Sequence, residues 1–256
     1  MTDRIARAWD AAAQGYDAYY VPRFAPWVAD AVGAVTGSAL PDGPVLVPCC
    51  GTFPELPALV EHLPGREIVG IDLSAGMVRI ARAAAARHPA VSVLEGDAAT
   101  LDARWDGACA AVVSVFGLQQ LPGPAHALRS WAAALRPGGR LSVVFWPGRP
   151  ELDGPFALMS ELLGRPPDRT WEDGLTSGLT GVERDEEVAH PITHPDAATC
   201  FDAHVRSGPL RPLLDEKGPA FVEGLRAEFL RRAPAGEWVH RPGARHIVAV
   251  RDSGSP

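Results

Sequence analysis

From about residue 45 the chain alternates short apolar runs with stretches of helical spacing, and this rhythm narrows the possible folds more than any other feature. Val45 to Cys49 is an apolar run entered from the turn Pro41-Asp42-Gly43-Pro44, so it reads as a buried strand. Leu56 to Leu63 then has helical spacing, and Glu67 to Ile71 is strand-like. Ala75 to Arg87 reads as a helix whose apolar face carries Met77, Ile80, Ala81 and Ala84. Val91 to Leu94 is a third strand, and Ala108 to Val115 a fourth, apolar throughout as a strand covered on both faces must be. His126 to Leu135 is a helix stopped by Arg136-Pro137-Gly138-Gly139, and Arg140 to Trp146 is a fifth strand. Five strands separated by helices predict an α/β fold with a doubly wound parallel sheet.

The flanks read differently. Gly154 to Leu163 is a predicted helix, and Val182 to Ile192 alternates as an exposed strand does. Two helical stretches follow, near Asp196 to Arg206 and Pro219 to Arg232, before a last strand from Arg245 to Arg251. Ahead of the core, Tyr16, Tyr19, Tyr20, Arg23, Phe24 and Trp27 form an aromatic segment. It suits either a lid over a site or an amphipathic helix packed on the sheet edge with its polar tips in water. The expected organisation is one domain over 1–256: an N-terminal helical lid (1–40), a core (45–146), and cap helices with edge strands (147–256).

Composition excludes several classes. A chain of 256 residues, 46% of them hydrophobic, can bury a full α/β core. No apolar run approaches the roughly 18 to 20 residues of a membrane span. The opening MTDRIARAWDAAAQGYD lacks the apolar middle of a signal peptide, which makes the cytoplasm the default location. A net charge of −7 with scattered arginines argues against nucleic acid as partner. Cys49, Cys50, Cys109 and Cys200 show no C-x-x-C spacing, so they read as free thiols. Pro191 lies between His190 and His194 and makes a helical metal pair improbable, so no metal site is expected.

Four segments in a fixed order carry the chemistry. The strand-turn-helix VLVPCCGTFPEL places Gly51 where the backbone can approach a ligand beyond the strand ends. IVGIDLS ends a strand on Asp72, 21 residues after Gly51, where a carboxylate can accept both hydroxyls of a ribose. Asp72 or Ser74 could equally cap the following helix. VLEGDAATL places Asp97 after the third strand, able to accept from an adenine amino group or to bond its own turn. LRPGGRLSVVFW completes the set.

In this order the segments resemble the class I S-adenosylmethionine-dependent methyltransferase family, in particular its small-molecule branch that acts in ubiquinone and menaquinone synthesis. The likeness covers residues 9 to 146. It implies a mostly parallel seven-stranded sheet with a helical cap and an antiparallel last strand at the edge, His246 to Arg251 beside Val182 to Ile192. It implies S-adenosylmethionine as cofactor, with Pro48, Cys49, Cys50 and Gly51 along its methionyl part and Asp72 on the ribose. Leu73 and Met77 would pack on the adenine, and Asp97 and Ala98 would read its edge. Ser114 and Val115 would flank the sulfonium. Tyr16-Asp17 matches a pair that folds over the cofactor in this branch, and Tyr20 or Arg23 would approach its carboxylate. The acceptor pocket would draw on Tyr19, Phe53, Phe116, Gln119 and Trp146.

The chain departs from the family's first motif, acid-x-Gly-x-Gly-x-Gly, with Val47, Cys49, Gly51 and Phe53 at the four defining positions. Phe53 would either obstruct the methionyl tail or turn outward to wall the acceptor pocket. The reading that follows is metal-independent methylation of a small secondary metabolite by a monomer or homodimer. Three alternatives stay open: a cofactor-binding enzyme of the same fold that transfers no methyl, such as a cyclase; a non-catalytic binding subunit; and an NAD-dependent oxidoreductase. The last would need a G-x-G-x-x-G turn that this chain lacks.

Overall fold

A computed structural model describes residues 2–166, 168–207 and 216–252. Helix α1 (Thr2–Thr36) precedes the first βα unit, formed by β1 (Val45–Pro48) and α2 (Leu56–His62). The units β2 (Ile68–Asp72) with α3 (Ala75–Ala85), β3 (Val91–Glu95), β4 (Cys109–Val115) with α4 (Pro124–Ala133), and β5 (Leu135–Phe145) follow the predicted order. Strand β5 begins earlier than the sequence suggested, because Leu135 already pairs with Cys109 before a register shift admits the Pro-Gly-Gly stretch. The remaining elements are α5 (Pro155–Leu162), β6 (Val182–Ala189), β7 (Ile192–His194), α6 (Ala197–Ser207), α7 (Pro219–Arg232), β8 (Trp238–His240) and β9 (Gly243–Val250).

The main sheet has the order β3-β2-β1-β4-β5-β9-β6, and β7 pairs with β8 in a separate ribbon. The first five strands run parallel, and β9 is antiparallel to both its neighbours. The expected antiparallel last strand is present, but it lies inside the sheet, and β6 forms the edge. Burial decides this: Ala244, Ile247, Val248 and Ala249 of β9 are buried, whereas β6 carries the exposed run Val182-Glu183-Arg184-Asp185-Glu186-Glu187. A charged strand is suited to an edge, where it discourages pairing with other chains.

Strand order reverses between β1 and β4, so their carboxyl ends splay apart and open a crevice. Helix α1 crosses this end of the sheet. Its C-terminal half buries Trp27, Val28, Ala31, Val32 and Val35, and the helix continues through Pro22 and Pro26. An interior proline costs a helix about 3 kcal/mol, so tertiary packing must hold this one together. The two readings of the aromatic segment are thus combined in one helix, with its second half in the core and its first half over the crevice. Among the described residues, no helix is long and apolar enough to cross a membrane.

Candidate active site

The β1–α2 turn takes positive φ at Cys49 (56°), Gly51 (54°) and Phe53 (73°). These are the three positions at which the motif of the resembling family carries glycine. The backbone shape is therefore kept although two of the glycines are gone, at about 1–2 kcal/mol of strain for each replacement. A Cβ built on Gly51 would meet nothing within 4 Å, so this residue borders open space. Asp72 braces the turn: its Oδ2 accepts from Gly51 N and its Oδ1 from Ser74 N, both at 2.9 Å. Across the switch point, a Cβ on Gly117 would lie 2.3 Å from that of Cys49, so the loop ends of β1 and β4 touch through a glycine.

Phe53 neither blocks the crevice nor lines a cavity, contrary to its expected place in the acceptor pocket. It is 2% exposed and packs beneath β2, where its Cε1 lies 2.9 Å from a Cβ built on Gly70. Gly70 leaves the hole that the ring fills.

The crevice forms a first cavity with about 970 Å³ of empty space, part of it open solvent. Cys49, Cys50, Gly51, Asp72, Leu73, Met77, Asp97, Ala98 and Val115 line it, with Tyr16 from α1. Sequence reasoning missed Trp9, Pro54, Gly117, Leu121 and Pro122 in the same wall, which Gln120 also joins. Asp97 Oδ1 accepts from Ala99 N at 2.8 Å, the turn bond foreseen as its simpler role, while the residue still faces the cavity. The Ala98 carbonyl accepts from Trp131 Nε1, and its N–H makes no hydrogen bond among the described residues. Helix α1 is clasped over this cavity by Asp10, whose Oδ1 accepts from Ser74 Oγ at 2.6 Å and Gly76 N at 2.9 Å.

A second cavity, about 1070 Å³, adjoins the first and shares Trp9, Tyr16, Phe116 and Gln120 with it. Phe116 and Trp146 stack at 4.1 Å with 8° between their planes and form one wall. Tyr20 and Phe24 continue the α1 stripe, with ring centroids 5.3 Å apart, and Phe156, Met159 and Leu163 enter from α5 and its end. Gln119, Ser160, Arg165, His204 and Ser207 supply polar groups. The residues from α5 and α6 had no legible signal, since the sequence shows only ordinary amphipathic helices there.

Several predicted site residues lie elsewhere. Arg23 lines neither cavity; its guanidinium sits 3.8 Å over the Tyr19 ring and donates to the Thr193 and Tyr19 carbonyls. These contacts draw it toward β7, away from the cofactor. Tyr19 lines neither cavity either, because its hydroxyl is hydrogen-bonded to His194 Nδ1 at 2.7 Å. That bond starts a buried chain in which His194 Nε2 meets His240 Nε2 at 3.1 Å and His240 Nδ1 meets Glu151 Oε2 at 2.5 Å. Glu151 Oε1 also accepts from Phe156 N and Ala157 N, so the carboxylate is held from the backbone as well as by His240. Tyr20 borders the second cavity, not the first. Pro48 and Ser114 stand behind the turn, the Ser114 hydroxyl donating to the Pro48 carbonyl at 2.9 Å. Asp17 lines neither cavity.

Burial sets the electrostatics. It pushes Asp72 above the usual carboxylate range, against the backbone donors that stabilise its charge. Glu55 is 1% exposed, and burial pushes its carboxyl up to about 8, with Asp72 adding to the effect. Burial likewise raises the Tyr16 and Tyr20 hydroxyls, so both are neutral donors. Cys49 and Cys50 are raised by burial and then by Asp72, so neither is a thiolate nucleophile. His204 and His194 are pushed down to about 4 and about 3, chiefly by burial, and are neutral imidazoles.

The cavity suits the cofactor that the resemblance implies. Asp72 faces it at the end of β2, Leu73 and Met77 offer apolar surface, and the open side of Gly51 leaves room for a ligand against the backbone. Thr52 Oγ1 and Glu55 Oε2, buried in the turn, lack partners among the described residues. Such unpaired atoms cost about 1–3 kcal/mol each, and neither residue lines the cavity, so this cost belongs to the turn itself.

A parallel sheet with one reversed strand, a glycine turn at its switch point and a carboxylate at the end of β2 define a Rossmann-like protein that binds a nucleoside-bearing cofactor. A methyltransferase-domain family profile matches residues 45–139. The chain is 32% identical over 217 residues to the trans-aconitate 2-methyltransferase of Streptomyces avermitilis, covering 73% of this chain and 77% of that enzyme. It is 41% identical over 102 residues to the demethylmenaquinone methyltransferase of Thermus thermophilus, and the match spans 40% of this chain but only 45% of that relative. A proposed methyltransferase from Bacillus halodurans shares the fold, with a TM-score of 0.61 at 18% identity over 88% of this chain and 99% of that one. The chain belongs to the class I S-adenosylmethionine-dependent methyltransferases.

Proposed function

We propose that the protein transfers a methyl group from S-adenosylmethionine, bound in the first cavity, to a small and largely apolar ring-bearing metabolite bound in the second. The observation that carries this reading is the shared wall: Trp9, Tyr16, Phe116 and Gln120 border both cavities, so two ligands would meet there. The bound cofactor supplies a methyl carbon already activated by its sulfonium. The protein's own work is then to hold the acceptor in line, about 3 to 3.5 Å from that carbon, and to exclude water. Asp72 would hold the ribose, Leu73 and Met77 would pack on the adenine, and Asp97 with the Ala98 N–H would read its edge. Tyr16 and Trp9, fixed by the Asp10 clasp, would close the top.

The second cavity supports an aromatic acceptor better than a tricarboxylate such as aconitate. Its walls are rings and aliphatic side chains, and Arg165 is the single cationic residue among the described lining. A polyanion would need several paired cations to leave water. The placement of Phe53 favours methyl transfer over the non-methylating alternative, since the ring that departs from the family motif does not enter the cofactor cavity.

Incubation with labelled S-adenosylmethionine and a panel of aromatic metabolites tests the reading. Methylated product and S-adenosylhomocysteine should appear in equal amounts, and activity should survive EDTA, because the described residues contain no cluster suited to a metal. Product formed without consumption of S-adenosylmethionine would refute the transfer reaction and leave the fold intact.

A further inference from the structure

Resting on the two-cavity reading above, we propose that the buried chain Tyr19–His194–His240–Glu151 sets the width of ligand that the second cavity admits. Glu151 is its positioning residue, holding α5, one wall of that cavity, in place relative to α1, another wall. Helix α5 has 8 residues, too few to hold itself in water, so its contacts fix its position. Its N-cap residue, Gly154, offers no side chain, and its first residue, Pro155, has no N–H to pair. The next two N–H groups, of Phe156 and Ala157, donate to Glu151 Oε1 at 2.6 and 3.2 Å. A Cβ on Gly154 would come within 2.7 Å of that oxygen, so the glycine makes room for the carboxylate. A negative charge also suits this end of a helix. Phe156, Met159, Ser160 and Leu163, of α5 and its end, line the second cavity.

The other carboxylate oxygen, Oε2, meets His240 Nδ1 at 2.5 Å, with the Glu151 and His240 side chains 4% and 3% exposed. His240 stacks on His194, with centroids 5.1 Å apart and 23° between planes, and His194 stacks in turn with Tyr19 at 5.9 Å and 15°. The chain therefore passes from α5 through β8 and β7 to α1, where Tyr16, Tyr20 and Phe24 line the cavity. Its own members line neither cavity, so it joins the two walls from outside. The His240 ring also meets Phe156 edge-on, with 4.9 Å between centroids and 88° between planes. Gly243 N donates to the Pro150 carbonyl at 2.6 Å, which pins the residue before Glu151 to the start of β9.

An apolar wall binds by contact, and a gap of about 0.5–1 Å forfeits a quarter to a half of the dispersion attraction. Cutting the chain frees α5 to move relative to α1. A narrow ligand then loses contact, while a wider one loses little or gains room. The effect reaches the ligand only through lining residues such as Phe156 and Met159. Glu151→Gln keeps an oxygen for Phe156 N and an amide for His240 Nδ1, since a neutral imidazole can present either tautomer. It should preserve the tie that Glu151→Ala removes.

The test uses two neutral probes with one headgroup and different widths, benzyl alcohol and 1-naphthylmethanol, added to protein saturated with S-adenosylhomocysteine. The chain has three methionines, of which Met77 lines the first cavity and Met159 the second, so ¹³C-methyl-methionine spectra report each site by itself. Both alcohols should shift Met159, and their titrations give a ratio of dissociation constants. Glu151→Ala should move that ratio about threefold or more toward the wider alcohol, and Glu151→Gln by less than about 1.5-fold. Tyr19→Phe cuts the chain at its other end and should move the ratio about twofold in the same direction. It removes one hydrogen bond and keeps the ring, so it decides the matter even if Glu151→Ala fails to fold. The affinity for S-adenosylhomocysteine should match the parent in all three variants. A ratio unchanged in Tyr19→Phe or in folded Glu151→Ala would overturn the proposal, as would a shift in Glu151→Gln as large as in Glu151→Ala. An equal loss of S-adenosylhomocysteine affinity, or no response of Met159 to either alcohol at millimolar concentration, would overturn it too. A protein that shows the ratio shift yet transfers methyl to no acceptor would instead refute the proposed reaction and leave this assignment standing.

Discussion

Replacing Asp72 tests the cofactor site most directly. Its two carboxylate oxygens each hold a backbone N–H at 2.9 Å, one from the β1–α2 turn and one from the start of α3, and the group faces the first cavity. If it also receives two ribose hydroxyls, each charge-assisted bond contributes about 1.5–3 kcal/mol, or about 3–6 kcal/mol together. Part of this is offset because Asp72→Ala also removes a carboxylate whose charge burial disfavours. Removal further frees Gly51 N and Ser74 N and loosens the turn that positions the cofactor. The net expectation is a loss of S-adenosylhomocysteine affinity of about two orders of magnitude or more. Asp72→Asn separates the two roles. It keeps the volume, but its amide nitrogen must face one of two N–H donors, so an intermediate loss is expected together with a lower melting temperature. Isothermal titration with S-adenosylhomocysteine, beside a thermal melt of each variant, reads both. A folded Asp72→Ala protein with affinity within about twofold of the parent would refute the placement of the ribose, since no bookkeeping of offsets cancels two charge-assisted bonds so closely.

Phe53→Gly should lower stability by about 1–4 kcal/mol, the cost of emptying a buried phenylalanine site less the strain relieved at positive φ, and leave cofactor affinity nearly unchanged. A large gain in affinity on that substitution would show that the ring obstructs the cofactor after all. Cys49→Gly, at the same kind of backbone position, loses far less packing and should change the denaturation midpoint little or raise it. For pH, the folded pKa of Glu55 is raised from an ordinary 4.5 to about 8, so the folded state holds a proton that the unfolded chain has released. The stability from this group is full below pH 4.5 and is lost as pH rises toward about 8. Its slope should be roughly 1.4 kcal/mol per pH unit, and urea titrations of the parent and of Glu55→Gln should differ by that slope across the window. His240→Phe should cost about 1.5–3 kcal/mol, the contribution of a hydrogen bond to a charged group, because the buried Glu151 carboxylate then keeps only its backbone donors Phe156 N and Ala157 N. Restoration of stability by Glu151→Gln in the same chain would confirm the cause, and a chevron unchanged by the first substitution would refute it.

The β–α rhythm, the switch-point glycine, and the placement of Asp72 and Asp97 at strand ends were legible in the amino-acid sequence. All of them depend on local pattern: an apolar run makes the strand, the polar residue after it ends the strand, and every parallel strand delivers its last residue to the same side of the sheet. The two replaced glycines were also visible, but their consequence was not. Whether Phe53 points at the cofactor or into the core depends on the gap left by Gly70 on the neighbouring strand, and that neighbour is set by sheet packing. The same limit applies to Arg23 and Tyr19, which share a helix with Tyr16 and Tyr20 yet are captured by Thr193 and His194 of β7. It applies to β9, whose place inside the sheet follows from the charge of β6, and to Glu55, whose burial comes from elements that close over the turn. The acceptor cavity is the clearest case. Its aromatic wall on α1 could be anticipated from spacing, but His204, Phe156 and the orientation of Gln119 come from three separate segments. Their meeting is decided by helix docking, because a side chain acquires a direction and a protonation state only when packing removes its access to water.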